Sequence, residues 1–187
     1  MYLFLIPLLL GFIFNSASAF TSFYSRKWGK RGGRLASTIL RDVVGIPVWA
    51  IGYALAAKAS MAMLFNPALI SSTLGWLLIL AGAAIILTGL LSIRWRAAAP
   101  SVLDSLVTQG LYVHIRHPLY SGMMLELVGL FLLFPTLTVL VACALGVVWV
   151  NIQARLEELD LMERLPAYKE YMQRVPRFIP RLRKHQA

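Results

Sequence analysis

The chain has 187 residues, of which 59% are hydrophobic and only 14% are charged, and its net charge is +10. A soluble domain carries about 25% charged residues, so the composition argues against a soluble protein. Because the apolar residues stand in long blocks, no soluble basic domain is left that could bind nucleic acid.

The first apolar block covers residues 1–24. A membrane-spanning helix needs about 20 apolar residues to cross a hydrocarbon core ~30 Å thick. The stretch Asn15–Ala19 is typical of a signal-peptide cleavage site, and a removed signal is one interpretation. No positive charge precedes the block, however, although signal peptides normally have one. A basic cluster follows it instead, which favours a retained helix with its N-terminus outside.

Three further blocks follow, and the last is too long for one helix. They cover residues 43–65, 69–93 and 119–150. Phe134-Pro135-Thr136 interrupts the last block, and proline removes a backbone donor and clashes with the preceding turn. We therefore predict two helices in a tight hairpin, and five spans in all. A single kinked and tilted helix is the alternative.

The basic residues test this topology. Residues 24–42, 94–118 and 151–187 hold 17 of the 18 Lys and Arg, and Lys58 is the exception. In a five-span chain these segments share one face, which the positive-inside tendency makes cytoplasmic. The sequence predicts an all-α integral membrane protein with a single domain, residues 1–187. A three-helix part (1–95) precedes the part that carries the polar motifs (100–180).

Two polar segments border the last two apolar helices. The first, residues 110–122, holds two His, one Arg and two Tyr. Pro118 is suited to the first turn of a helix, and a helix N-terminus there suits a carboxylate. An interfacial anchor of aromatic and basic side chains is the alternative.

The second polar segment, residues 153–161, contains the pair Glu157-Glu158 and extends the last membrane helix into the cytoplasm. Adjacent side chains project about 100° apart on a helix, so one carboxylate is expected to face a pocket. A solvated face with Arg155 paired to Glu158 is the alternative. Neither segment has the ligand spacing of a metal site, and no metal is predicted.

Together the two segments resemble a known family. Arg116-His117-Pro118-Leu119-Tyr120-Ser121-Gly122 and the preceding Leu106–Tyr112 are similar to the isoprenylcysteine carboxyl methyltransferases, a family related to the phospholipid N-methyltransferases. The resemblance continues through Glu157–Leu161 to Arg174-Val175-Pro176-Arg177 and covers about residues 100–180. The N-terminal helices match only in number.

The resemblance implies an S-adenosylmethionine site outside the Rossmann class, and no glycine-rich strand-to-helix loop is present. By position, Leu106 and Val107 would line the adenosine, and Tyr112 would close over the cofactor. The amino-acid end of the cofactor would contact four consecutive residues: His117, Pro118, Leu119 and Tyr120.

The remaining implied contacts concern the two carboxylates and the methyl acceptor. Glu157 would bind the amino or ribose groups, with Glu158 in support. On the acceptor side the family often has an arginine where this chain has Gln153, so no catalytic residue is assigned. The acceptor-side candidates are Gln153, Arg155, Arg116 and Glu126. The last is a carboxylate within a membrane helix, a position that is often functional, and we expect it to line an acceptor tunnel; a Glu bonded to a neighbouring helix is the alternative.

The function implied is S-adenosylmethionine-dependent methyl transfer to a lipophilic acceptor at the cytoplasmic face, in a bacterial or archaeal inner membrane. The acceptor would be an isoprenylcysteine-like carboxylate, a lipid amine or a small thiol. Membrane lipids are expected partners, and no obligate protein partner is expected. One alternative is an NADPH-dependent sterol-type reductase, which has a similar His-Pro-x-Tyr segment but usually Asn in place of Leu119. The other is a non-catalytic membrane relative.

Overall fold

The computed structural model describes residues 2–59, 62–93 and 105–181, and the regular elements in these ranges are helices. The segment Arg94-Trp95-Arg96, which follows the predicted apolar block 69–93, lies outside the described residues. The elements are α1 (Leu5–Ala17), α2 (Thr21–Thr38), a π-helical segment (Ile39–Gly45), α3 (Ile46–Lys58), α4 (Leu69–Ile93), a 3-10 turn (Gly110–Val113), α5 (Pro118–Leu133), α6 (Leu137–Arg164) and α7 (Tyr168–Arg174).

The chain reverses direction inside α2. Gly29 has φ 72° and ψ 170°, a conformation that is essentially limited to glycine. On either side of it, the hydroxyls of Thr21 and Ser37 are hydrogen-bonded at 3.0 Å, and a Cβ on Gly33 would lie 2.6 Å from the Ser25 nitrogen. Residues 5–28 and 30–58 therefore form the two antiparallel arms of one helical hairpin, which we call the N-terminal hairpin.

Both arms of this hairpin differ from the predicted helices. The first arm is interrupted after Ala17, where the Ser18 hydroxyl donates to the Asn15 carbonyl at 2.5 Å and competes with the helical backbone. The second arm ends at Lys58, seven residues before the predicted end, and the chain becomes extended at Ala59. The early end of this helix is due to a tertiary contact. The Leu64 backbone nitrogen donates a hydrogen bond to the Pro135 carbonyl at 2.7 Å, which requires an extended chain after Lys58.

Helices α4 and α5 pack closely because glycines face each other. A Cβ on Gly82 would lie 2.6 Å from the Gly122 carbonyl oxygen, and a Cβ on Gly129 would lie 2.6 Å from that of Gly75. Gly89 faces Leu119 at the same interface. Gly75, Gly82 and Gly89, which are spaced by seven residues, therefore form a close-packed stripe of small residues on α4.

The predicted hairpin at Phe134-Pro135-Thr136 is confirmed, with α5 before it and α6 after it. Helix α6 packs against the N-terminal hairpin, where the rings of Trp149 and Phe12 stack at a centroid distance of 4.5 Å. Cys143 is a free thiol inside this buried core.

The length and the apolar composition of its helices make the chain an integral membrane protein. Three helical runs are long and apolar enough to cross a membrane: 69–93, 137–164 and 21–58. The run 21–58 reverses direction at Gly29. Helices α1 and α5 are shorter and also apolar. Basic segments meet at one end of the bundle, where Arg26 pairs with Glu163 and Arg116 with Glu158. We call this the basic end.

Candidate active site

A cavity of about 1330 Å³ lies between the N-terminal hairpin, α4, α5 and α6, and the loop that follows residue 105 closes one side. Typical small-molecule pockets measure about 300–1,000 Å³, so this cavity is larger than the usual site for one small ligand. Its wall changes from polar near the basic end to apolar farther along the helices. The polar part includes Tyr112, Tyr120, Glu157, Asp160, Arg164 and Tyr168, and the apolar part Tyr53, Ile79, Ile86, Met123, Leu127 and Leu130.

Glu157 presents one carboxylate oxygen to the cavity. Its Oε1 accepts hydrogen bonds from the Tyr120 hydroxyl and from Gln153 Nε2, the latter at 3.1 Å. Its Oε2 accepts no hydrogen bond from the described residues, and His117 Nδ1 lies 3.8 Å from it. Glu157 is therefore oriented by its neighbours and has one oxygen available for a ligand.

Glu158 is fully buried and has a different environment. Its Oε1 accepts from Arg116 Nη2 at 2.8 Å and from Arg177 Nε at 3.0 Å, and its Oε2 from Arg177 Nη2 at 2.5 Å. Arg155 lies 3.9 Å away. Two arginines compensate the desolvated carboxylate, which would otherwise be costly to bury. Glu158 therefore joins α6 to the loop before α5 and to the C-terminal segment, by which we mean residues 175–181 after α7.

The C-terminal segment also holds the start of α5 through backbone hydrogen bonds. The nitrogens of Arg116 and His117 donate to the carbonyls of Pro176 and Arg177 at 2.9 and 3.0 Å, and the Ser121 hydroxyl donates to the Phe178 carbonyl at 2.7 Å. His117 thereby lies between the two carboxylates, with its Nε2 3.3 Å from Glu158. As predicted, Pro118 opens the helix directly after it.

Three tyrosines enclose the polar part of the cavity from the C-terminal side. The Tyr171 hydroxyl donates to the Tyr112 carbonyl at 2.5 Å, and burial raises the pKa of Tyr171 to about 12. Burial also raises the pKa of Tyr112 and of Tyr168, so all three stay neutral phenols. The Tyr168 hydroxyl is buried at the cavity without a hydrogen-bond partner in the described chain.

Most of the predicted cofactor residues meet at this cavity. Those that line it are Leu106, Val107, Tyr112, His117, Leu119, Tyr120 and Glu157. Pro118 is buried at the helix start, where it faces Gly89, and Glu158 lies behind Glu157. The structure agrees with the expectation that only one of the two adjacent carboxylates faces the pocket.

The acceptor-side candidates are more dispersed. Glu126 borders the apolar part of the cavity, and Gln153 is buried and supports Glu157. Arg116 borders the cavity, but its guanidinium donates to Glu158 and to the carbonyls of Met172 and Val175. Arg155 is 56% exposed and does not contribute to the wall.

Sequence reasoning missed the polar residues that the N-terminal hairpin contributes. Arg41 and Asp42 line the cavity from the π-helical segment, and Asn15 lines it from α1. In the sequence, Arg41 is one more basic residue beside an apolar block, and no pattern predicts a π-helical turn. The adjacent opposite charges at the start of that block are the one signal that would have marked the pair.

These features define a helical membrane protein whose deep cavity joins a polar end to an apolar interior. A model of the phospholipid methyltransferase family matches residues 70–169, just over half of the chain, and the chain belongs to this family. It is therefore a membrane methyltransferase, as the motifs predict, and the family match favours this interpretation over the reductase alternative. No curated protein and no solved structure matches the chain. The match begins in α4 and leaves out the N-terminal hairpin.

Proposed function

We propose that the protein transfers a methyl group from S-adenosylmethionine to a lipophilic acceptor that enters the cavity from the bilayer. One observation carries this proposal. The oriented carboxylate of Glu157, with Oε2 available, stands at the polar end of a cavity whose other end is apolar and lies among membrane helices. The arrangement provides a place for a water-soluble cation beside a place for a lipid.

The residues at the polar end suit the chemical groups of the cofactor. A carboxylate such as Glu157 pairs with an α-ammonium group. The tyrosine rings offer faces to a sulfonium cation, and Leu106 and Val107 offer an apolar wall for the adenine. The unpartnered hydroxyl of Tyr168 supplies a donor in a place where a buried polar group without a partner is costly. The set fits the cofactor, because its ammonium, its sulfonium and its adenine each have a chemically matched neighbour.

When bound, the cofactor supplies a methyl group that the acceptor's lone pair attacks while the sulfur–carbon bond breaks and its electrons stay on sulfur. The chain's task is mainly alignment, and positioned reactants lower a barrier by about 7–11 kcal/mol. An acceptor that is already a carboxylate or thiolate needs no general base. An amine must lose one proton, and the carboxylates that border the cavity are Asp42, Glu126, Glu157 and Asp160. Glu158 is held by arginines, and His114 is exposed.

Glu126 is the proposed acceptor-side residue of the tunnel. It lies two turns into α5 and borders the cavity where the wall is apolar, and carboxylates inside a membrane are often functional. If Glu126→Gln leaves both the turnover and the preference among acceptors unchanged, this role is wrong.

The proposed topology has five crossings, with the N-terminus outside and the basic end in the cytoplasm of a bacterium or archaeon. The gathering of basic segments at one end supports it through the positive-inside tendency. The site at that end would then take its cofactor from the cytoplasm.

Binding of S-adenosylhomocysteine to the detergent-purified protein tests the cofactor assignment. Calorimetry should show saturable binding that Glu157→Gln and Tyr120→Phe weaken by tenfold or more, since each removes part of a charge-assisted contact. Glu170→Gln is the matched control, because that carboxylate is 71% exposed and pairs with Arg174 outside the cavity. Binding of NADPH in place of S-adenosylhomocysteine would overturn the proposal and restore the reductase interpretation.

A further inference from the structure

The tip of the N-terminal hairpin gathers cations without matching carboxylates. We define the hairpin tip as residues 23–35, on either side of the reversal at Gly29. Its exposed basic side chains are Arg26, Lys27, Lys30, Arg31 and Arg34. The sequence from Phe20 to Arg41 contains no Asp or Glu. Arg26 pairs with Glu163 of α6, and the other four form no ion pair with a described residue.

Contacts between the two arms show which residues of the hairpin lie at the same level. The hydroxyls of Thr21 and Ser37 are hydrogen-bonded at 3.0 Å, and Gly33 lies against Ser25. Each residue nearer to Gly29 on one arm is therefore matched by one residue on the other arm.

The outer surface of the hairpin changes from apolar to basic over a short distance. Phe23 and Leu35 lie level with each other and are 52% and 60% exposed. Lys27 and Arg31 form a second level nearer to the tip, and both are exposed. Four residues separate the two levels, which is about 6 Å along a helix. So sharp a boundary is what a hairpin needs where it passes from the acyl chains into the phosphate layer of a bilayer.

Two aromatic rings lie at the same boundary. The rings of Tyr24 and Trp28 stack at a centroid distance of 5.5 Å, and Lys27 Nζ lies 5.4 Å from the centroid of Trp28. Trp28 is 54% exposed, and tryptophan and tyrosine are enriched at the headgroup level of membranes. A nucleic acid would explain the cations but not the exposed Phe23 and Leu35 beside them, so a lipid surface is favoured.

The hairpin tip is fixed to α6 and lies outside the cavity. The Ser22 backbone nitrogen donates to Asp160 Oδ1 at 2.8 Å, and Arg26 pairs with Glu163 one turn farther along both helices. Residues 23–35 do not border the cavity. A lipid bound at the tip is therefore distinct from the methyl acceptor.

We propose that the hairpin tip binds the phosphate groups of acidic phospholipids in the leaflet at the basic end of the bundle. This inference goes beyond the proposed methyl transfer, because it assigns a lipid site that takes no part in the reaction. Lys27, Lys30 and Arg31 contact the phosphates, and Phe23 and Leu35 contact the acyl chains below them. Cations next to a membrane helix each add to the attraction for acidic lipid, whereas a zwitterionic lipid has no net charge to offset theirs.

Native mass spectrometry of the full-length protein, released from detergent micelles, counts the bound lipids by class. The micelles would contain equimolar dioleoyl phosphatidylglycerol and dioleoyl phosphatidylcholine, which share their acyl chains and differ in headgroup charge. We expect the wild type to retain at least tenfold more phosphatidylglycerol than phosphatidylcholine. The excess should fall as the salt concentration rises, because salt screens exposed charges. Equal retention of the two lipids would overturn the proposal.

Two triple variants, each of which removes three positive charges, separate the tip from the net charge of the protein. The tip variant is Lys27→Gln/Lys30→Gln/Arg31→Gln, and the control is Lys169→Gln/Arg174→Gln/Arg181→Gln, at exposed positions after α6. The tip variant should lose the excess of phosphatidylglycerol, and the control should keep it. An equal loss in both variants would assign the excess to net charge, and an excess retained by the tip variant would place the lipid elsewhere. Either result contradicts the proposal.

A soluble polyanion distinguishes a lipid surface from a nucleic-acid surface. Saturable binding of a single-stranded oligonucleotide to the wild type in neutral detergent, lost in the tip variant, would assign the tip to nucleic acid and overturn the lipid assignment. The lipid count does not depend on S-adenosylhomocysteine binding. Failure of this inference therefore leaves the proposed function standing, and failure of the proposed function leaves this inference standing.

Discussion

At the scale of single residues, the neighbours Glu157 and Glu158 on α6 differ in role: Glu157 is suited to bind a ligand, and Glu158 stabilises the fold. One oxygen of Glu157 accepts no hydrogen bond from the described residues and borders the cavity, whereas Arg116 and Arg177 occupy both oxygens of Glu158. The same distinction separates Tyr168, whose hydroxyl has no hydrogen-bond partner among the described residues, from Tyr171, whose hydroxyl donates to the backbone. We therefore expect variants of Glu157 and Tyr168 to lose ligand binding, and variants of Glu158 and Tyr171 to lose stability.

Glu158→Gln should destabilise the protein by about 3–5 kcal/mol, because it removes the buried charge that two arginines require. Its thermal unfolding midpoint in detergent should fall well below that of the wild type. Glu157→Gln serves as the comparison and should unfold near the wild-type temperature. Equal midpoints for the two variants would show that the buried cluster does not stabilise the fold.

Tyr168→Phe should weaken S-adenosylhomocysteine binding by about tenfold at little cost in stability, since its hydroxyl makes no hydrogen bond to the described part of the chain. Tyr171→Phe should lower the free energy of unfolding by about 1 kcal/mol, because the bond to Tyr112 is lost. Calorimetry and thermal unfolding on both variants check the pair. A stability loss in Tyr168→Phe equal to that in Tyr171→Phe would contradict the ligand role of Tyr168.

At the scale of helices, glycines decide which elements approach closely. The α4–α5 interface depends on backbone contact at Gly82 and Gly122, and membrane helices associate through such small residues. The N-terminal hairpin depends on Gly29 for its reversal. These contacts position α5, and with it Tyr120 and Glu126, against the remaining cavity wall.

Gly82→Ala should destabilise the protein by about 1–3 kcal/mol, the usual cost of overpacking, because the new methyl group would meet a backbone carbonyl that cannot move aside as a side chain can. The thermal unfolding midpoint in detergent reports the effect. Ala81→Val, on the exposed side of the same helix, is the matched control. A midpoint for Gly82→Ala as high as that of the control would refute the close packing.

At the scale of the whole molecule, the bundle has a basic end that carries the site and an opposite end where Leu64 pairs with Pro135. Among the described residues, cations come together near the cavity at the basic end only. The proposed orientation follows from this asymmetry, and it decides from which compartment the cofactor arrives.

Cysteine labelling checks the orientation, with the buried Cys143 replaced by Ala. A cysteine at Lys30, near the reversal of the N-terminal hairpin, should react with a membrane-impermeant maleimide in inside-out vesicles only. A cysteine at Met63, which is 58% exposed at the opposite end, should react in right-side-out vesicles only. The reverse pattern would place the basic end outside the cell and exclude the proposed topology.

The sequence predicts those helices and turns whose ends are determined by residues nearby in the chain. Helix α4 matches its apolar block from Leu69 to Ile93 because nothing interrupts that block, and Pro135 marks the α5–α6 turn because proline cannot continue a helix. The end of α3 and the π-helical segment depend on contacts with distant residues, so neither was predictable. The cofactor-side residues were found because they lie within two short segments, whereas Asn15 and Arg41 come together with them only through folding.

Transfer of a labelled methyl group tests the central claim most directly. The protein in nanodiscs would receive methyl-labelled S-adenosylmethionine, with phosphatidylethanolamine and a prenylcysteine analogue offered in parallel. We predict that label enters the organic-extractable fraction, and that Glu157→Gln lowers the rate by tenfold or more while Glu170→Gln does not. A protein that binds S-adenosylhomocysteine but labels no lipophilic product, or labels it equally well without Glu157, would contradict the account.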